Sequence, residues 1–125
     1  MPGFIPHLIA GCTMFFIGRY YFKNYFDGKD KFRERLLLAF VCLSFSFLPD
    51  FFLIIYYTTH ILPKETFVPY HEAFYFILLP IVISSLIILK YLNNIKRKPI
   101  WIMGSLCIVL HLIMDFFVQE TCLWF

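Results

Sequence analysis

The stretch 100-IWIMGSLCIVLHLIMDFFV-118 is apolar almost throughout and contains neither Lys nor Arg. A helix rises about 1.5 Å per residue, so about 20 such residues cross the roughly 30 Å hydrocarbon core of a bilayer. In lipid each segment must pair its own backbone N–H and C=O groups, which predicts a helix here. The stretch nevertheless contains His111 and Asp115, and their i, i+4 spacing places both on one face of that helix.

Three further apolar runs precede this one, at about residues 4–22, 36–57 and 70–92. The chain of 125 residues is 61% hydrophobic and 15% charged, with a mean hydropathy of +0.76, whereas soluble domains carry about 25% charged residues. This composition argues against a soluble globular domain and against disorder. The runs also lack the period-2 alternation of a membrane barrel. We therefore predict an all-α, polytopic membrane protein, with residues 1–125 forming one bundle of four transmembrane helices.

Basic residues are concentrated at one end of the predicted bundle. The first and third connections, with the helix ends beside them, contain ten of the eleven Lys and Arg residues, and only Lys64 lies on the opposite side. The positive-inside rule then places these connections in the cytoplasm. A multi-pass protein of the cell membrane with both termini extracytoplasmic is predicted. The lipid bilayer is its expected partner, and nucleic acid is not, because no basic stripe is interleaved with aromatic residues.

The N-terminal run and the cysteines each allow a second interpretation. Residues 9–12, Ile-Ala-Gly-Cys, look like a lipoprotein cleavage box, but the apolar stretch before them is short and interrupted by prolines, which favours a membrane helix. None of the cysteines is in a CxxC pair, and we interpret them as small apolar residues. A disulfide between Cys12 and Cys122 would require both to face an oxidising compartment.

Five polar residues of the apolar runs fall in the predicted outer half of the membrane: His7, Asp50, His71, His111 and Asp115. Each of the four helices contributes at least one. A buried acid costs about 2.5–3.5 kcal/mol on insertion scales, and such residues usually face the bundle interior and mark function. Each has a structural explanation when taken alone, for example Asp50 satisfying backbone groups freed by Pro49. Their similar depth favours a shared partner, and neutral imidazoles and carboxylates are ligands of zinc and similar ions.

In the order and spacing of these residues the chain resembles the membrane-bound metal-dependent hydrolases related to zinc-dependent phospholipase C. That family shows an N-terminal His, then Leu-Pro-Asp-x-Asp-His, then His-Arg-Gly-x-Thr-His-Ser, and finally His-x-x-x-Asp on the last helix. The counterparts here are His7, residues 48–50 (Leu-Pro-Asp), residues 71–74 (His-Glu-Ala-Phe) and residues 111–115 (His-Leu-Ile-Met-Asp). The resemblance extends over almost the whole chain. Among its departures from the family, Phe52, Leu53, Tyr75 and Phe76 stand where the motifs have Asp, His, Thr and His.

The resemblance implies a hydrolase of an ester or phosphoester, with a lipid near the outer headgroups as the favoured substrate. The matching residues His7, Asp50, His71, His111 and Asp115 would hold one divalent metal ion, zinc or manganese. Glu72 or Glu120 is a candidate general base if it reaches the metal-bound water. His60 lies in the predicted outer loop and matches no family motif, so it serves as an internal control.

Two other functions are compatible with intramembrane His and Asp residues. A non-catalytic subunit or small transporter would pass protons or metal ions along the cluster, but the cytoplasmic halves of the helices lack comparable charged residues. A haem b protein would need two axial histidines on facing helices, and His111 has no obvious partner at equal depth.

Overall fold

The computed structural model describes residues 4–59 and 61–117, and these are helical with no strand among them. The predicted all-α class is thereby confirmed. The helices are α1 (Phe4–Tyr21), α2 (Lys23–Phe26), α3 (Phe32–Phe47), α4 (Phe51–Thr59), α5 (Lys64–Tyr91) and α6 (Lys98–Phe117), with 3-10 turns at Lys29–Lys31 and Leu48–Asp50. His60, Glu120 and Cys122 lie outside the described residues.

The second apolar run, predicted as one helix over residues 36–57, is broken into two. Helix α3 ends at Phe47, the 3-10 turn Leu48–Asp50 follows, and α4 then begins. Pro49 causes the break, because it has no N–H to donate and its ring clashes with the carbonyl one turn earlier. Both Pro49 and Asp50 are buried in this turn, so the break carries a carboxylate into the interior of the bundle.

Helices α1, α3 and α6 pack on one another, and α5 packs on α6 and on α4. Most of the core lies within the three-helix group, where Leu38 and Cys42 of α3 meet Ile100, Met103 and Cys107 of α6. A smaller apolar cluster formed by Leu78, Val82 and Ile108 joins α5 to α6. Helix α6 is therefore the element that connects the two groups.

The approach of α6 to α3 depends on a glycine. A Cβ atom added at Gly104 would lie 2.8 Å from side-chain carbons of Val41 and Phe45, which is closer than side chains tolerate. Small residues at such crossings allow membrane helices to approach closely. The same approach brings the C-terminal half of α6 against the turn that carries Asp50.

Two helices are long and apolar enough to cross a membrane, α5 over Glu65–Tyr91 and α6 over Lys98–Phe117. Only 17% of the apolar window of α5 is buried inside the protein, against 39% for α6, so most of the apolar surface of α5 faces outward. Large apolar side chains point outward, among them Phe76 and Phe116, which are 82% and 83% exposed. An exterior of this kind suits contact with lipid.

Charged and polar side chains meet at the end of the bundle where α3 begins and α6 begins. The Arg97 Nε donates to both carboxylate oxygens of Glu34 at 3.2 Å, and the Tyr25 hydroxyl donates to Glu34 Oε2 at 3.2 Å. Burial, followed by the nearby Glu34 charge, raises the pKa of Tyr25 above its ordinary value. These contacts tie the α5–α6 connection to the start of α3.

Candidate metal centre

The carboxylate of Asp50 lies at the centre of three histidines. His7 Nε2 of α1 is 3.0 Å from Asp50 Oδ2, while His111 Nε2 of α6 and His71 Nε2 of α5 are 3.4 Å and 3.9 Å from Oδ1. All four side chains are buried. The turn at Pro49 makes this possible, because it places Asp50 between helices that are distant in sequence.

Asp115 completes the cluster from the next turn of α6. Its Oδ2 atom is 3.1 Å from His111 Nε2, and the rings of His7 and His111 stack with their centroids 4.2 Å apart. Two sets of three residues offer ligand atoms within 4.8 Å of one another: His7, Asp50 and His111, and Asp50, His71 and Asp115. The structure thus brings together all five residues that the sequence nominated as metal ligands, and these buried groups could hold a metal ion.

Main-chain carbonyls fix the tautomer of two of the histidines. His111 Nδ1 is 2.6 Å from the Ser46 carbonyl, and His71 Nδ1 is 3.1 Å from the Pro49 carbonyl. A carbonyl oxygen can only accept, so each Nδ1 carries the proton and donates. In a neutral ring the Nε2 atom then has a free lone pair. Both lone pairs lie on the Asp50 side of their rings, and a carbonyl partner on the other nitrogen is typical of metal-ligating histidines.

These lone pairs face oxygen atoms that are themselves acceptors. The imidazole Nε2 of His111 has carboxylate oxygens of Asp50 and Asp115 as close neighbours, and acceptors in contact require a proton or a cation between them. Within the described chain, His7 Nδ1 and Nε2, Asp50 Oδ1 and both oxygens of Asp115 are buried without a hydrogen-bond partner. Even the 3.0 Å approach of His7 Nε2 to Asp50 lacks the geometry of a hydrogen bond.

Unpaired buried polar atoms cost free energy, and buried charges are usually paired or bound to a metal. A divalent cation would balance the two carboxylates and give each unpaired nitrogen and oxygen atom a partner. Imidazole nitrogens with carboxylate oxygens form a donor set that suits zinc and other divalent transition metals. The residues present therefore fit a divalent metal ion.

Tyr75 also belongs to this cluster, although the sequence did not identify it. Its hydroxyl is 3.3 Å from His111 Nε2, and its ring centroid is 4.4 Å from that of His71. The sequence feature that could have identified Tyr75 is its i, i+4 spacing from His71, which places both side chains on one face of α5. The sequence analysis also did not predict the roles of the Ser46 and Pro49 carbonyls. It expected the Asp50 side chain to pair with the backbone groups freed by Pro49, whereas these carbonyls accept from histidines of other helices.

Of the two candidate general bases, Glu72 is described by the structure and Glu120 lies outside the described residues. Glu72 follows His71 but its side chain is exposed, and its role as general base stays a prediction, as does that of Glu120. Phe76, at the position of a family histidine, is 82% exposed. Phe52, at the position of a family aspartate, packs edge-on against Phe74 with ring centroids 5.5 Å apart.

Comparisons with protein-family models, with curated proteins and with solved structures gave no match.

Proposed function

We propose that this chain is an integral membrane metal-dependent hydrolase that cleaves an ester or phosphoester, with a membrane lipid as the substrate class. One observation carries the proposal. Three imidazoles and two carboxylates from four separate parts of the chain converge in a buried cluster, and main-chain carbonyls hold the Nε2 lone pairs of His71 and His111 toward its centre.

The proposed membrane arrangement has four crossings: α1, α3 continued by α4, α5 and α6. Its support is the apolar exterior of the bundle and the length of α1, whose 18 residues extend about 27 Å at 1.5 Å per residue. The basic connections would lie in the cytoplasm and both termini outside. The cluster would then lie in the outer half of the membrane, within reach of lipid headgroups.

The chemistry proposed for the site divides between the metal and the protein. When bound, a divalent ion would supply a water whose pKa is lowered toward about 7, and it would stabilise the negative charge that develops on the cleaved group. The five clustered side chains would hold the ion, and the carbonyls of Ser46 and Pro49 keep two of the rings oriented. Glu72, exposed beside His71, is the proposed general base. The resemblance to metal-dependent hydrolases related to zinc-dependent phospholipase C supports this class of reaction.

Hydrolysis of phospholipid vesicles by the purified protein tests the proposal. The protein in detergent, supplied with zinc or manganese, is expected to release product from mixed phospholipids, and a chelator or Asp50→Asn should abolish the release. Asp27→Asn, which changes an exposed carboxylate far from the cluster in the fold, is the matched control and should retain activity. If the metal-loaded protein cleaves no ester or phosphoester lipid, the proposed hydrolase activity is wrong.

That failure would favour a second candidate, a non-catalytic metal-binding membrane protein. The observation in its favour is that Phe52 and Phe76 occupy positions where the hydrolase family has potential ligands. This candidate predicts the same metal binding as the enzyme, without turnover of lipid.

A further inference from the structure

The end of the bundle opposite the metal cluster carries most of the charge of this chain. The cluster lies near the starts of α1 and α5 and the ends of α3 and α6, so the opposite end contains the ends of α1 and α5 and the starts of α3 and α6. Residues 19–35 and 90–98, which form it, contain ten basic residues and three acidic ones. We call this region the basic end. Its exposed basic side chains are Lys23, Lys29, Arg33, Lys90, Lys96 and Arg97.

One ion pair holds the two basic segments together. Arg97 Nε donates to both carboxylate oxygens of Glu34 at 3.2 Å, and the Tyr25 hydroxyl donates to Glu34 Oε2 at 3.2 Å. Arg33 and Lys96 are the chain neighbours of this pair, and both side chains are exposed. The pair therefore joins two segments that each carry an exposed cation, and it neutralises one of the three acidic residues there.

Exposed tyrosines surround the bundle at the same end. Tyr20 and Tyr21 lie in the last turn of α1 and Tyr91 ends α5, and these side chains are 81%, 79% and 72% exposed. The Nζ atom of Lys90 lies 5.7 Å from the centroid of the Tyr91 ring. Tyrosine is enriched where a membrane meets water, because its ring is apolar and its hydroxyl is polar. These residues indicate the level at which phospholipid headgroups would surround the basic end.

We propose that the basic end binds the headgroups of anionic phospholipids in preference to zwitterionic ones. The phosphate of a zwitterionic lipid is balanced by a cation of the same headgroup, whereas the charge of an anionic lipid is free to pair with Lys and Arg. A basic residue beside an anionic membrane surface strengthens binding about fivefold. The inference rests on the proposed membrane arrangement, but it does not require the metal centre or the hydrolase.

Lipid binding to the purified full-length protein tests this proposal. Native mass spectrometry would give dissociation constants for phosphatidylglycerol and for phosphatidylcholine with the same acyl chains. The unaltered protein should bind phosphatidylglycerol at least about fivefold more tightly than phosphatidylcholine. The double variant Arg33→Gln, Lys96→Gln should weaken phosphatidylglycerol binding by about five- to 25-fold and leave phosphatidylcholine binding unchanged.

Two matched controls separate local charge from other effects. Arg33→Lys keeps the positive charge and should retain the preference for phosphatidylglycerol. Lys64→Gln removes a positive charge at the start of α5, at the opposite end of the bundle, and should also retain it. If Lys64→Gln weakens phosphatidylglycerol binding as much as the double variant does, total charge sets the preference and the basic end is not the site.

A second measurement uses the salt dependence of the stabilisation by lipid. Added phosphatidylglycerol should raise the unfolding temperature of the protein in detergent more at 0.05 M NaCl than at 0.5 M NaCl, because salt screens exposed charges. If the unaltered protein binds both lipids equally, or the folded double variant binds phosphatidylglycerol as tightly as the unaltered protein, the proposal is refuted and the membrane arrangement stands. If alkaline carbonate extracts the reconstituted protein from vesicles, the membrane arrangement and this proposal fail together.

Discussion

The imidazole of His111 on α6 donates from Nδ1 to the main-chain carbonyl of Ser46 on α3, over 2.6 Å. This contact joins the two helices at the last turn of α3, just before the break at Pro49. It also determines what His111 can do, because the ring nitrogen on the other side is left as a lone pair beside Asp50 and Asp115. The proposed metal centre depends on this orientation.

The first prediction concerns the tautomers of the buried histidines. In zinc-loaded protein, His71 and His111 should both be protonated at Nδ1 and carry no proton at Nε2, since each Nδ1 has a carbonyl partner and each Nε2 faces the cluster. The chain has four histidines, so ¹⁵N spectra of ring-labelled protein, with each His→Ala variant for assignment, resolve them. A proton on His111 Nε2 in zinc-loaded protein would contradict its role as a metal ligand and would show an ion pair with Asp50 and Asp115 instead.

The second prediction concerns the crossing of α6 and α3. Gly104→Ala should lower the stability of the protein in detergent by about 1–3 kcal/mol, because the added methyl group lies within 2.8 Å of Val41 and Phe45 and overpacking has that typical cost. Thermal unfolding followed by circular dichroism measures it. Ser84→Ala, at an exposed position of α5, is the control. Equal unfolding temperatures for the two variants would contradict the close approach.

The third prediction concerns orientation in the membrane. Ten of the eleven basic residues lie in or beside the first and third connections, so a reporter fused after Phe125 should be active only if it functions outside the cytoplasm. A pair of fusions, one to a periplasmic reporter and one to a cytoplasmic reporter, gives the comparison. Activity of the cytoplasmic reporter alone would reverse the orientation and move the proposed site to the inner surface.

Several features of the fold were predictable from the sequence because lipid imposes simple rules. Apolar runs of about 20 residues indicate helices, and isolated polar residues within them, such as His111 and Asp115, indicate positions that face a partner. Hydropathy marks the apolar part of a helix and does not mark where the helix begins or ends. Helix α3 therefore begins at Phe32 and α5 at Lys64, before the apolar runs at 36 and 70.

The parts that could not be predicted depend on contacts between helices. The break at Pro49 was visible as a proline, but the use of the Ser46 and Pro49 carbonyls by His111 and His71 requires the packing of three helices. Tyr75 was overlooked because an aromatic residue in an apolar run resembles any lipid-facing side chain. Its hydroxyl gains meaning only when α6 brings His111 within 3.3 Å.

Metal binding by the purified protein is the decisive measurement for the proposed metal centre. Protein purified without chelator and resupplied with zinc or manganese should retain one divalent ion per chain after dialysis, measured by elemental analysis. Loss of a residue that only orients a ligand weakens metal binding about 10–100-fold, so Asp50→Asn and His111→Ala should weaken it by at least that much. The control variants Asp27→Asn and His60→Ala should leave metal binding unchanged. An unaltered protein that retains no ion, or folded Asp50→Asn and His111→Ala variants that retain it fully, would contradict the account and leave the cluster as a polar network that fixes helix packing.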